Sequence, residues 1–180
     1  MGPRPDHDDN ALLSLILFRH GKSDWDANYD ADHDRPLAER GRHNARCMGQ
    51  FLAQADQIPD LAVSSSARRA RDTLSLAMKA GRWRCPMRID RALYETTPQA
   101  MVAWLREIDI TQERLLLVGH EPTWSELASR LSGGGVLRVP TGAMLRLDLD
   151  IDHWRGTAFG RAELRWLISP KVVCRLRGLS

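Results

Sequence analysis

Apolar residues along this chain form short continuous runs that alternate with longer stretches of helical periodicity. The runs at residues 12–18, 61–63 and 114–118 have the length and composition of buried strands. The stretches at 39–53 and 67–80 place apolar side chains on one face at helical spacing. Strands that alternate with helices predict a mainly parallel sheet covered by helices on both faces.

Residues with capping preferences mark the ends of two predicted helices. Serines 64–66 offer hydroxyl groups at the N-terminus of the second helix. Gly81 stands where a glycine typically ends a helix. Thr97 followed by Pro98 predicts the start of a third helix, because threonine caps helices and proline is favoured at their first position.

The last part of the chain predicts a fourth helix and two antiparallel strands. Thr123 and Glu126 have the spacing of a capping box for a helix that continues to about Leu131. Residues 143–149 and 162–168 alternate apolar and polar side chains, and a turn separates them, which is typical of paired strands. The predicted fold class is three-layer α/β/α, with a mostly parallel central sheet and an antiparallel C-terminal pair.

Composition indicates one globular domain behind a short leader. Residues 1–10 contain two prolines and three aspartates without an apolar period, so we expect a flexible leader there. The chain is 43% hydrophobic and 27% charged, which are ordinary values for a globular protein. Because compact domains usually run about 100–200 residues, we expect residues 11–180 to form a single domain.

The cysteines and the apolar segments predict a cytoplasmic protein. Cys47, Cys85 and Cys174 are odd in number and widely spaced, which fits reduced thiols better than disulfides. The longest apolar stretch, residues 11–18, is too short to span a membrane and follows acidic residues. The net charge of +3 and the pI of about 9.0 favour anionic ligands.

Histidines and arginines follow the three strongest predicted strands. Arg19 and His20 follow the first, Arg69 with two neighbouring arginines follows the second, and His120 follows the third. Open parallel sheets bind ligands at the carboxyl ends of their strands, so these side chains are expected to converge. Guanidinium groups and a helix N-terminus both bind phosphate oxygens well. The sequence therefore predicts a phosphate site at this edge.

The same residues predict phosphoryl transfer through an imidazole. A neutral His20 could accept a phosphoryl group, and nearby arginines should lower its pKa below about 6.5. His120 could hold the phosphoryl oxygens in the transition state. Glu95, in the loop before the third helix, is the best-placed proton donor for the leaving group. Three further acids remain alternatives: Asp24, Asp34 and Glu121.

Three motifs, in order along the chain, resemble the signature of the histidine phosphatase superfamily, also called the phosphoglycerate mutase-like family. They lie at residues 17–23 (LFRHGKS), 64–70 (SSSARRA) and 118–122 (VGHEP). The resemblance implies a phosphoglycerate mutase-like fold, with His20 as the nucleophile and no metal. It implies phosphate contacts from Arg19, Arg69 and His120.

Shorter stretches are similar to the SixA-type phosphohistidine phosphatases within that superfamily. They lie at residues 33–41, 93–95 and 140–142, and the resemblance spans residues 12–147 in all. Lys22 stands where many relatives have Glu or Gln, which favours the SixA branch over sugar-phosphate mutases. The remaining candidate phosphate or substrate contacts are Gly21, Lys22, Ser23 and Arg35.

A metal-dependent hydrolase would also use histidines and carboxylates. No His-x-x-x-His spacing occurs, and the arginines expected around His20 and His120 would repel a divalent cation. We therefore predict no metal and no cofactor. The other histidines lack convergent partners in the sequence and are expected to be solvated or structural: His7, His33, His43 and His153.

The predicted function is hydrolysis of a phosphomonoester or phosphoramidate through a phosphohistidine intermediate on His20. The expected partner is a phosphorylated small molecule or a phosphohistidine-bearing protein. Two alternatives stay open, namely mutase-type transfer between small-molecule hydroxyls and a non-catalytic phosphate- or nucleic-acid-binding module. Nucleic acid is the less expected partner, because the basic residues lack interleaved aromatic side chains. The oligomeric state does not follow from the sequence.

Overall fold

A six-stranded mixed sheet forms the middle layer of the fold. The computed structural model describes residues 13–177, so the predicted leader at 1–10 lies outside the described residues. The strands and helices, in chain order, are β1 (Leu13–Arg19), α1 (Glu39–Gln54), β2 (Leu61–Ser65), α2 (Arg68–Gly81), β3 (Met87–Asp90), α3 (Pro98–Glu107), β4 (Arg114–Gly119), α4 (Thr123–Leu131), β5 (Met144–Leu149), β6 (Ala162–Ile168) and α5 (Pro170–Arg177).

The strand order across the sheet is β3-β2-β4-β1-β5-β6. Strands β3, β2, β4 and β1 run parallel, whereas β5 runs antiparallel to β1 and β6 antiparallel to β5. The predicted fold class is therefore confirmed, including the antiparallel C-terminal pair. Two elements are absent from the sequence-based prediction, edge strand β3 and helix α5.

Continuous apolar runs form the central strands because both faces of the sheet are covered. In β1, Leu15 and Leu17 pack into a core with α3 and α4, while Ile16 and Phe18 pack into a second core with α1 and α2. All four side chains are fully buried. Burial of each large apolar side chain contributes about 1.5–3 kcal/mol. The two cores hold the carboxyl ends of β1, β2 and β4 at one edge.

The predicted ends of α2 are wrong in detail. Its N-cap is Ala67, which has no capping side chain, and the Ser64 hydroxyl instead donates to the Ser65 carbonyl. Gly81 lies inside the helix, and the left-handed C-cap is Arg82 with φ 55°. A Cβ at Gly81 would lie 2.3 Å from the carbonyl oxygen of Gly49, so close packing of α1 requires this glycine.

The cap of α3 is confirmed, but the predicted capping box of α4 is wrong. Thr97 accepts a hydrogen bond from the Ala100 amide at 3.2 Å, as expected for a threonine N-cap. At α4, the N-cap residue is Pro122, and the Thr123 hydroxyl, one residue inside the helix, donates to the carbonyl of Thr96 at 2.7 Å instead of accepting from a helix amide. Tertiary contact with the preceding loop thus overrides a local sequence pattern.

The helices within the described residues are short or carry charged side chains. None of them, within residues 13–177, combines the length and the apolar character that crossing a bilayer requires.

The contact between α1 and α2 generates a test of the fold. A Cβ at Gly49 would lie 2.0 Å from the Ala77 carbonyl oxygen, so the two helices would have to separate. We expect Gly49→Ala to lower the free energy of unfolding in urea by about 3 kcal/mol. At Gly156 a Cβ would meet Ile151 at an ordinary 3.4 Å, so Gly156→Ala is the control. Equal stability of both variants would contradict the packing described.

Candidate active site

Parallel pairing of β1 with β4 brings two histidines together. Arg19 is the register partner of Gly119, so His20 and His120 leave neighbouring strands at the same level of the sheet. The His20 amide donates to the Gly119 carbonyl at 3.1 Å, which continues the pairing by one residue. The ring centroids of the imidazoles are 5.0 Å apart, with their planes at 54°.

A backbone contact determines the tautomer of His20. Its Nδ1 lies 2.8 Å from the carbonyl oxygen of Gly21. Because a carbonyl oxygen only accepts, Nδ1 carries the hydrogen of this bond. In the neutral ring the lone pair is then on Nε2. His20 is therefore held in the form in which Nε2 is a potential nucleophile.

His120 has the opposite tautomer. Its Nδ1 lies 3.5 Å from a terminal nitrogen of Arg69, which can only donate. The other ring nitrogen, Nε2, consequently carries the hydrogen and donates to the Ser65 hydroxyl at 2.8 Å. Ser65, at the end of β2, thus orients an imidazole that follows β4.

Burial is the largest cause of the low pKa of both histidines. It lowers the pKa of His20 to about 4, although the hydrogen bond to Gly21 acts in the opposite direction. The charges of Arg69, Arg19 and Arg35 lower it further. Burial, then the charge of His20 and of Arg69, lowers the pKa of His120 to about 3. Both imidazoles are therefore neutral at physiological pH, and the arginines are a secondary reason rather than the main one.

Asp32, which the sequence-based prediction missed, binds two of the arginines. Its carboxylate accepts from Arg69 at 2.9 Å and from Arg35 at 2.8 Å, and its carbonyl oxygen accepts from Arg69 at 2.6 Å. Burial raises the pKa of Asp32, but the bonds and charges of Arg35 and Arg69 outweigh this effect and lower it. Asp32 is thus an anionic group that holds both guanidiniums beside the imidazoles.

Two buried donors at this site have no hydrogen-bond partner. Four arginine Nε atoms among the described residues are in this condition, and those of Arg19 and Arg69 belong to the site. Arg19 also donates through a terminal nitrogen to the Val139 carbonyl at 2.9 Å, which fixes its guanidinium. Because these Nε atoms are almost fully shielded from solvent, a ligand would reach the two guanidiniums only through their terminal nitrogens.

Arg35 and Ser23 are joined to the site through Asp32. Arg35 is buried and donates to the Ser23 hydroxyl at 2.6 Å. Its guanidinium also lies 3.5 Å from the ring centroid of Trp25, which is 63% exposed. Cation–π stacking between them restrains the loop that carries Asp32.

Gly21 and Lys22 lie beside the site, but their contacts are different from those expected of phosphate ligands. The Gly21 amide donates to the Thr73 hydroxyl at 3.0 Å. A Cβ at Gly21 would lie 2.9 Å from the Gly41 carbonyl oxygen, so its small size serves the packing of α1. The Lys22 side chain is exposed, and within residues 13–177 we find no contact between it and the imidazoles.

The acidic candidates differ in how their carboxylates are used. Glu95 is exposed and lines the cavity next to His120, with its backbone in the left-handed region at φ 52°. Glu121 accepts from the Ser125 amide and hydroxyl, so its carboxylate caps α4. Asp24 accepts from the Asp26 amide in a local turn, and Asp34 is exposed beside His33.

A cavity of about 270 Å³ adjoins these groups. Its walls include Asp32, Arg69, Tyr94, Glu95 and His120. His20 is not among its lining residues and lies beyond it, against the ring of His120. The cavity is the space that the remainder of a substrate could occupy next to the imidazole pair.

Tyr94, like Asp32, was not singled out as a site residue. Its hydroxyl donates to the Asp32 carboxylate at 3.3 Å, and its ring lies edge-on to those of His33 and His120. His33, expected to lack partners, also approaches the Ser66 hydroxyl at 3.0 Å. In the sequence, the one indication of the role of Asp32 is its position three residues before Arg35, a spacing that permits a local ion pair.

Similarity to other sequences covers most of the chain. A protein of Mycobacterium leprae without a known function is 33% identical over 159 residues, which are 82% of this chain and 96% of that protein. A chloroplastic protein of Arabidopsis thaliana is 32% identical over 145 residues, 73% of this chain, and the match spans 65% of its own length. The 2,3-bisphosphoglycerate-dependent phosphoglycerate mutase of Mycobacterium leprae is 39% identical over 72 residues, 39% of this chain but 29% of the mutase.

The chain is also similar to a solved structure and matches a family model. SixA from Nakamurella multipartitia superposes with a TM-score of 0.75 at 26% identity, covering 87% of this chain and 95% of that one. The sequence model of the histidine phosphatase superfamily (branch 1) matches residues 15–109. This stretch includes the motif around His20 and that around Arg69. The chain belongs to the histidine phosphatase superfamily, and its fold is SixA-like.

Proposed function

We propose that this protein is a phosphatase that transfers a phosphoryl group to Nε2 of His20 and then to water. The observation that carries the proposal is the pair of neutral imidazoles 5.0 Å apart, with the guanidinium of Arg69 3.5 Å from His120. This combination places a nucleophilic lone pair beside positive charge that could hold a phosphoryl group. Such electrostatic positioning is the main requirement of phosphoryl transfer.

In the first step, Nε2 of His20 attacks phosphorus while the bond from phosphorus to the leaving group breaks. The bonding electrons leave with that group, which takes up a proton. In the second step, water attacks the phosphohistidine, the P–N bond breaks, and phosphate is released. The hydrogen bond from Nδ1 to the Gly21 carbonyl persists through both steps and stabilises positive charge on the ring.

Arg19, Arg69 and His120 are the proposed phosphate contacts. The guanidiniums of Arg19 and Arg69 would donate to phosphoryl oxygens through their terminal nitrogens. His120, neutral in the free protein, would gain a proton more readily beside a dianion and then donate from Nδ1. Asp32 would keep Arg69 oriented but would also compete with the substrate for it.

Glu95 is the proposed proton donor to the leaving group. It lines the cavity in which that group would lie, and none of the hydrogen bonds among the described residues occupies its carboxylate. Asp32 is less suited, because its ion pairs with Arg35 and Arg69 lower its pKa and keep it deprotonated. Glu121 is engaged at the N-terminus of α4.

A protein phosphohistidine is the substrate class that we propose first. The proposed activity of SixA from Nakamurella multipartitia, with which the fold superposes, is that of a phosphohistidine phosphatase. The exposed positions of Asp32 and Glu95 at the cavity also fit a substrate presented on a larger molecule. Transfer to a second hydroxyl, as in a mutase, would use the same first step, and the similarity to a phosphoglycerate mutase keeps it as the alternative.

The nucleophile can be tested by trapping the phosphoenzyme. We expect wild type to form an acid-labile, alkali-stable phosphohistidine during turnover of a phosphorylated histidine peptide, and to release inorganic phosphate. His20→Ala should form none and should lose at least about 10³-fold in kcat/KM, because the lone pair of the other imidazole, His120, is directed at Arg69. His153→Ala, at an exposed histidine, is the control. Equal turnover by wild type and His20→Ala would refute the mechanism, and phosphate recovered on an added acceptor alcohol would indicate a mutase.

The pH dependence of kcat/KM follows from the low pKa of His20. The imidazole must be neutral to attack, and its pKa of about 4 means that it stays neutral as the pH falls from 7 to 5. We expect kcat/KM of the free enzyme to decline only near pH 4. Two substrates with different phosphate pKa values separate the ionisation of the enzyme from that of the substrate. A decline of kcat/KM near pH 6.5 that is common to both substrates would contradict the conclusion that His20 is buried and neutral.

The role of Glu95 can be tested through the leaving group. Glu95→Gln removes the transferable proton. We therefore expect this substitution to slow the hydrolysis of aryl phosphates with poor leaving groups by about 10²-fold, and to change the hydrolysis of those with good leaving groups little. Glu113→Gln, at an exposed glutamate outside the cavity, is the matched control. Equal slowing across all leaving groups would assign Glu95 to substrate binding instead.

A further inference from the structure

A histidine and two cysteines meet where α5 packs against α1. His43 and Cys47 are one helical turn apart on α1, and Cys174 approaches them from α5. One ligand atom from each lies within 4.8 Å of the other two. His43, for which the sequence indicated no partner, has its Nε2 3.5 Å from the Cys47 sulfur.

We propose that His43, Cys47 and Cys174 bind a zinc ion. Zinc bonds of about 2.3 Å to sulfur and about 2.0 Å to nitrogen, at the tetrahedral angle, separate the two ligand atoms by about 3.5 Å. The observed 3.5 Å between His43 Nε2 and Cys47 Sγ matches this edge of a tetrahedron. The remaining edges are within 4.8 Å, so only small side-chain rotations are needed.

The donor set selects the metal. Two thiolates and one imidazole are ligands that Zn²⁺ accepts readily, whereas Mg²⁺ and Ca²⁺ require oxygen ligands. Two thiolates would also neutralise the charge of a dication in a partly buried place. Cys47 is buried, Cys174 half-buried and His43 exposed, so one side of the cluster faces solvent. A water molecule can reach the fourth position from that side.

The proposed ion would tie the last helix to the first. Within residues 13–176, α5 has only two buried side chains, Pro170 and Val173, and a helix of this length is marginal without tertiary contacts. Pro170 also packs beside Gly142, whose amide donates to the His20 carbonyl at 3.1 Å. Zinc would therefore stabilise the element that supports the loop behind His20, without touching the phosphate site.

Zinc binding can be measured on the full-length, reduced protein after removal of metals with a chelator. We expect one equivalent of Zn²⁺ to bind, and free Zn²⁺ at 100 times Kd to raise Tm by about 5–10 °C. Co²⁺ in its place should produce a thiolate-to-cobalt charge-transfer band. Cys174→Ser and His43→Gln should each weaken zinc binding at least about 100-fold and reduce that band.

The controls separate this site from other metal-binding groups. Cys85→Ser changes the cysteine outside the cluster, and His20→Ala changes the proposed nucleophile, so both should bind Zn²⁺ as wild type does. Wild type that binds no zinc, a cobalt band of undiminished intensity in Cys174→Ser, or loss of binding in His20→Ala would each overturn the proposal. The zinc site does not rest on phosphatase activity, so its failure would leave the proposed function unaffected.

Discussion

The parallel register of β1 with β4 is the constraint on which the candidate active site depends. It aligns Arg19 with Gly119, so that His20 and His120 emerge side by side from strands whose apolar residues are buried on both faces. A slip of one residue would turn one of the imidazoles to the other face of the sheet. The energy that holds the pair in place is therefore the burial of leucine, isoleucine, valine and phenylalanine, rather than contacts between the histidines themselves.

Burial within that frame also sets the chemistry of the site. Removal from water lowers the pKa of both imidazoles more than the neighbouring arginines do, so His20 and His120 are neutral near pH 7. Asp32 neutralises part of the charge of Arg35 and Arg69 and holds their guanidiniums in place. The result is a positive pocket beside a neutral imidazole, an arrangement that suits a dianionic phosphoryl group.

The two ends of the described chain are linked to this arrangement through α1. Its first turn packs against Gly21, next to the proposed nucleophile, and the following turns carry the histidine and cysteine that meet Cys174. The proposed zinc site thus lies on a helix that packs beside the proposed phosphate site, and the two sites use separate residues. Tight contact of α1 with α2 at Gly49 completes the support of this side of the sheet.

Much of the fold was predictable from the sequence, because patterns of burial are local. The apolar runs at β1, β2 and β4, the helical stripes between them and the period-two strands at the end determined the α/β class and the edge at which His20, Arg69 and His120 would lie. Tertiary structure alone decided the partners of polar groups: the engagement of Thr123 by the Thr96 carbonyl, the ion pairs of Asp32, and the meeting of His43 with Cys174. Hydrogen bonds and ion pairs depend on distances between segments far apart in the chain, which no local pattern records.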